Sequence, residues 1–72
     1  MRQLHLLGRS GDTLARDVIE RQVRDGDEVR VVLTGEAAET DLQTAARVMA
    51  MPPLQYDALV ELLTWSERVV SW

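Results

Sequence analysis

The sequence predicts a small α/β domain with three layers, α/β/α, built around a mainly parallel sheet of three or four strands. Three observations predict it. Residues Leu4 to Leu33 read as a strand-helix-strand unit. Within it, Val29-Arg30-Val31-Val32-Leu33 is β-branched, too short for a helix and nearly continuous in apolar character. Strands buried on both faces of a parallel sheet have that character, whereas half-solvated strands alternate. Tyr56 to Trp65 then reads as a second long helix and leads into a short β-branched run, Arg68-Val69-Val70-Ser71-Trp72.

The first strand is Leu4-His5-Leu6-Leu7-Gly8. Gly8-Arg9-Ser10-Gly11-Asp12-Thr13 follows as a loop, in which Asp12 or Thr13 can accept hydrogen bonds from the free N–H groups of a helix start. That helix runs to about Arg24. Leu14, Val18, Ile19 and Val23 recur at steps near three and four and are expected to form its buried stripe. Arg24 suits the negative end of the helix dipole. Gly26 fits just past the helix end, where a positive φ is common. If the strands on either side share a sheet in parallel, the crossover between them is right-handed.

Glu36 to Ala45 is acidic and alanine-rich, consistent with a short helix. Residues 46–51 have two readings. Ala46-Arg47-Val48-Met49-Ala50-Met51 suits a third strand, while Leu42, Ala45, Ala46 and Met49 suit one face of a helix from about Glu39 to Ala50. Pro52-Pro53 ends either version. In the second long helix Leu59, Leu62 and Leu63 form the expected core stripe, flanked by Val60, and Asp57 is a cap or first-turn acid.

Residues 1–72 make a single domain, and a chain of that length buries only roughly 60% of its unfolded surface. No apolar run approaches a membrane span and no leader pattern is evident, so a cytoplasmic protein with no membrane contact is expected. The chain has no cysteine, which removes disulfides, thiolate metal sites and persulfide chemistry within it. Its net charge of −4 argues against a nucleic-acid-binding surface of its own.

No catalytic motif, cofactor fingerprint or metal-ligand spacing stands out. The Gly8–Thr13 loop has Gly-x-x-Gly spacing, neither a dinucleotide fingerprint nor a P-loop. A plain turn and cap accounts for it. Its ligand-binding reading rests on Arg9 and Ser10, the side chains there best suited to an anion. His5 is the single histidine and reads as structural or solvent-facing before catalytic. Asp25, Asp27, Glu28, Glu36 and Glu39 read as a solvated acidic rim rather than a cation site. Trp65 and Trp72 either complete a thin core or sit in a subunit interface, where tryptophan is enriched.

Three blocks in order resemble one family. They are Leu4-His5-Leu6-Leu7-Gly8-Arg9-Ser10; Asp25-Gly26-Asp27-Glu28-Val29 through Leu33 with Gly35-Glu36-Ala37-Ala38; and Leu54-Gln55-Tyr56-Asp57-Ala58-Leu59-Val60-Glu61-Leu62 closing with Val69-Val70-Ser71-Trp72. Together they resemble the TusB/DsrH proteins of the DsrE/DsrF/DsrH superfamily, as a shortened member whose missing part falls near Pro52-Pro53. The resemblance favours a third strand at Arg47–Ala50. It implies a DsrEFH-like fold and a non-catalytic place in a sulfur-relay complex, alongside TusC/TusD- or DsrE/DsrF-like subunits. Such complexes serve wobble-uridine 2-thiolation of tRNA or sulfur oxidation. Some DsrH members carry a cysteine in the first helix; the matching region, Val18 to Glu20, has none. The sulfur-carrying cysteine is therefore expected on another subunit. The alternative is a stand-alone homo-oligomer that binds a small anion at the Gly8–Thr13 loop.

Overall fold

The computed structural model describes residues 1–9, 12–40, 42–51 and 53–72. In chain order the elements are β1 (Arg2–Leu7), α1 (Thr13–Arg24), β2 (Glu28–Leu33), a 3-10 helix (Gly35–Glu39), β3 (Arg47–Ala50), α2 (Tyr56–Trp65) and β4 (Arg68–Ser71). All strand pairings are parallel, and the order across the sheet is β3-β2-β1-β4. The chain therefore steps one way through β1, β2 and β3, then crosses back over two strands to place β4 beside β1.

That reversal explains the layers. A parallel crossover is right-handed in almost all folds, so connections that travel in opposite directions lie on opposite faces of the sheet. Ala15 and Ile19 of α1, with Ala37 of the 3-10 helix, pack on one face against Leu7, Val29, Val31 and Leu33. Leu62 of α2 packs on the other against Leu4 and Val32, with Leu6, Met49, Leu54 and Leu59 around them. The expected α/β/α architecture is present, and all four strands are parallel. Val31 and Val32 are both fully buried because they face opposite layers, which is why the β2 sequence does not alternate.

Local chemistry sets the ends of α1. The Asp12 carboxylate accepts a hydrogen bond from the Ala15 backbone N–H at 3.0 Å. At the other end Gly26 sits at φ 90°, and its N–H donates to the Val23 carbonyl while that of Asp27 donates to Gln22. This paired arrangement closes the open carbonyls of the last turn. Leu14 departs from the expected stripe and is 64% exposed. The stripe that meets the sheet starts instead at Ala15 and continues through Ile19 and Val23. A small residue there lets the helix axis approach the strands, and the face follows from that contact rather than from the largest apolar side chains.

The helix expected over Glu36 to Ala45 is only a five-residue 3-10 helix that ends at Glu39. Thr40 turns extended (φ −89°, ψ 136°), and the Thr44 hydroxyl accepts from the Ala46 N–H, so local side-chain bonding replaces a helical ladder. Arg47–Ala50 then pairs with Arg30–Leu33 as β3. The longer helix from Glu39 to Ala50 does not form. In α2 the expected core positions Leu59 and Leu62 face the sheet, whereas Leu63 is exposed. No helix among the described residues is long and apolar enough to cross a membrane.

Candidate functional site

Three places in the fold hold chemistry. The first is the carboxyl edge of the sheet, where ligands of open α/β sheets bind. There Thr34 and Trp72 donate their backbone N–H groups to Leu7 and Leu6. Beside them a groove of about 290 Å³ is lined by Leu7, Asp12, Thr13, Arg16, Thr40, Leu42 and Gln43. The Asp12 carboxylate already caps α1 from inside this groove, so an anion at the helix start would meet a negative charge. Arg9 is exposed and does not line the groove, and Ser10 lies outside the described residues. Among the described residues Arg16 is the groove's cation.

The second place is buried. His5 points from the middle of β1 into the α1 layer and is fully inaccessible. Its Nδ1 accepts a hydrogen bond from the Trp72 indole N–H at 2.9 Å, and its Nε2 lies 2.6 Å from the Gln22 side-chain oxygen. An indole N–H only donates, so Nδ1 carries no proton. Nε2 therefore holds the proton and donates it to Gln22. The two rings are nearly coplanar, 14° apart with centroids separated by 6.1 Å, which suits edge-to-edge hydrogen bonding rather than face-to-face contact. Burial pushes the His5 pKa below its ordinary value, and the Gln22 bond only partly opposes that. The imidazole is a neutral tie between β1, α1 and the residue after β4, with both nitrogens occupied. It has no free nitrogen for a metal or a substrate.

The third place is α2. Tyr56, Val60 and Leu63 fall at i, i+4 and i+7 and are 73%, 46% and 42% exposed. On the same side of the sheet Val69 of the edge strand β4, beside Leu4 of β1, is also exposed. On the opposite flank of α2 a groove of about 450 Å³ is lined by Arg30, Arg47, Met49, Leu54, Ala58, Glu61, Leu62 and Trp65. The Arg30 guanidinium lies over the Trp65 ring, 4.0 Å from its centroid. Sequence reading singled out Trp65 but missed the arginines. The available signal was Arg30 itself, a charge interrupting an apolar strand.

The two candidate tryptophans thus have different surroundings. Trp72 is half-buried, packs on the α1-face core and uses its N–H inside the molecule. Trp65 lines an open groove. The acidic rim is divided: Asp25, Asp27 and Glu28 stand at the amino end of β2, and Glu36 and Glu39 stand beyond its carboxyl end, roughly 20 Å away for a strand of six residues. Asp27 accepts from the Gln3 amide at 3.1 Å and from the Met1 ammonium at 3.3 Å, and these bonds lower its pKa. Among the described residues no group of three or more metal-ligating side chains is gathered at one point.

The fold and these surfaces define a small doubly wound α/β domain with an apolar flank and open grooves on both sides of the sheet. Comparison with family models, curated proteins and solved structures finds no match to this chain.

Proposed function

We propose that this chain is a non-catalytic, interface-forming subunit of a cytoplasmic sulfur-relay complex of the TusBCD or DsrEFH kind. In this reading it supports tRNA wobble-uridine 2-thiolation or sulfur oxidation, and TusC/TusD- or DsrE/DsrF-like subunits supply the reactive cysteine. The observation that carries it is the apolar flank formed by Tyr56, Val60 and Leu63 of α2 on the same side as Val69 of β4. An exposed apolar helix flank on the same side of the sheet as an exposed valine of an edge strand is a surface that a second α/β subunit can cover. The sequence agrees in two ways. Residues 1–72 contain no cysteine, and the three blocks resembling TusB/DsrH proteins run in order along the chain. The rival anion site at the Gly8–Thr13 loop is weakened by the Asp12 carboxylate at the start of α1.

The test is co-expression with cysteine-bearing TusC/TusD- or DsrE/DsrF-like subunits, followed by light scattering. A defined hetero-oligomer is expected. Val60→Glu should abolish it while changing the stability of the isolated chain by no more than an ordinary surface substitution does, about 0.5 kcal/mol. A stable homo-oligomer that ignores those subunits would refute the relay reading.

A further inference from the structure

The groove between α2 and the β2–β3 pair is built unlike the apolar flank. Arg30 and Arg47 are register partners on neighbouring parallel strands and line the same groove. Neighbouring strands lie only about 4.8 Å apart, so two arginines start from adjacent backbone positions and bring two positive charges to a groove that holds one carboxylate, Glu61. Among the described residues the ion pairs are Met1–Asp27 and Arg2–Glu67, and neither arginine takes part. Neither guanidinium makes a hydrogen bond to a described side chain or carbonyl. Arg30 is nevertheless held, because its guanidinium carbon lies 4.0 Å from the centroid of the Trp65 ring, close enough for stacking. Stacking uses the face of a guanidinium and leaves its N–H donors free at the edge, in the plane suited to phosphate oxygens.

The remaining lining is chemically distinct. Met49, Leu54, Ala58 and Leu62 provide an apolar floor, and Glu61 provides one carboxylate that can only accept. A groove of about 450 Å³ is within the range of small-molecule sites. A ligand that uses all of it carries a doubly charged group for the arginines, a flat apolar body for the floor, and a hydroxyl or amino donor for Glu61. We infer that this groove binds a nucleoside monophosphate, with the phosphate between Arg30 and Arg47, the base on the Met49–Leu62 floor and a ribose hydroxyl or base amine donating to Glu61. The terminal phosphomonoester is doubly charged, matching two guanidiniums, whereas each internal phosphate of an RNA strand carries one charge. The net charge of −4 also disfavours a long polyanion. The site is on the other flank of α2 from the proposed interface and does not depend on it.

The experiment titrates the full chain with adenosine 5′-monophosphate, followed by nuclear magnetic resonance of the Trp65 indole and the Arg30 and Arg47 side chains. Adenosine, inorganic phosphate and a short single-stranded RNA are titrated in parallel. Saturable shifts centred on Trp65, Arg30 and Arg47 are expected, with adenosine and phosphate each binding at least ten-fold more weakly than the nucleotide. Arg47→Gln is the principal variant, because Arg47 is exposed and its replacement leaves the core intact; it should weaken the nucleotide at least ten-fold. Glu61→Ala should weaken adenosine as well as the nucleotide and should not weaken inorganic phosphate, because it removes a negative charge from the groove. Absence of shifts at Trp65, or nucleotide affinity untouched by Arg47→Gln, would overturn the proposal. Inorganic phosphate equalling the nucleotide would mean a simple anion site, and RNA binding ten-fold tighter than the nucleotide would mean a strand-binding surface; either result also overturns it.

Discussion

Replacing Trp72 by phenylalanine tests the buried tie at its weakest point. Trp72→Phe keeps an aromatic body against the α1-face core but removes the indole N–H that His5 Nδ1 accepts from. His5 is fully buried, so Nδ1 has no water to turn to. A buried acceptor left unpaired is destabilising by about 1–3 kcal/mol, and 2 kcal/mol is a fair centre. A domain of 72 residues has an unfolding entropy near its midpoint of about 0.15 kcal/mol/K, so the melting temperature should fall by roughly 13 °C. A second signature follows from the proton. Because burial holds the folded His5 pKa below its ordinary value, the unfolded chain binds the extra proton first. The stability contributed by neutral His5 is complete above about pH 6.5 and is lost as the pH falls from there through the depressed folded value. In Trp72→Phe the freed Nδ1 can accept a proton without facing another donor, so the folded pKa moves back up. The gap between parent and variant should therefore be widest near pH 7.5 and narrower near pH 5.5. Thermal melts followed by circular dichroism at both pH values measure this directly. A variant that melts within 3 °C of the parent, with the same gap at both pH values, would refute the hydrogen-bonded chain through His5.

Two further perturbations probe the scaffold. Ile19→Ala empties a fully buried position where α1 meets β2, and urea titration should show a loss of about 3–4 kcal/mol, a large part of the stability such a small domain has. Asp12→Ala removes the α1 cap; calorimetry should find a loss of about 1 kcal/mol, with the helix otherwise retained.

Elements dictated by local chemistry were legible from the sequence. β1, α1, β2, α2 and β4 stand within a residue or two of where apolar periodicity, Asp12 and Gly26 put them. Features decided by contact across the fold were not. The α1 face hinges on Ala15, whose small side chain carries little weight in a periodicity count but sets how closely the helix meets the sheet. Residues 42–46 suited a helix by composition, yet β3 could pair with β2 only if the chain left the helix before Arg47. The same limit applied to the sites. His5 gave no sequence sign of its two partners, because Gln22 and Trp72 are 17 and 67 residues away along the chain. Arg30 and Arg47 became neighbours only through strand register.

The place of β4 has a consequence for biosynthesis. β1 is synthesised first of the strands but is completed on its outer side by β4, with Arg2 and Glu67 separated by 65 positions. At a translation rate of roughly 5–20 residues per second, that side of β1 stays unpaired on the ribosome for roughly 3–13 s. During that interval the nascent chain exposes a bare strand edge, and the His5 ring has no tryptophan to hold it. A growing polypeptide in this state can pair with another on the same message, so the interval is one in which chaperone cover or slow initiation would matter most.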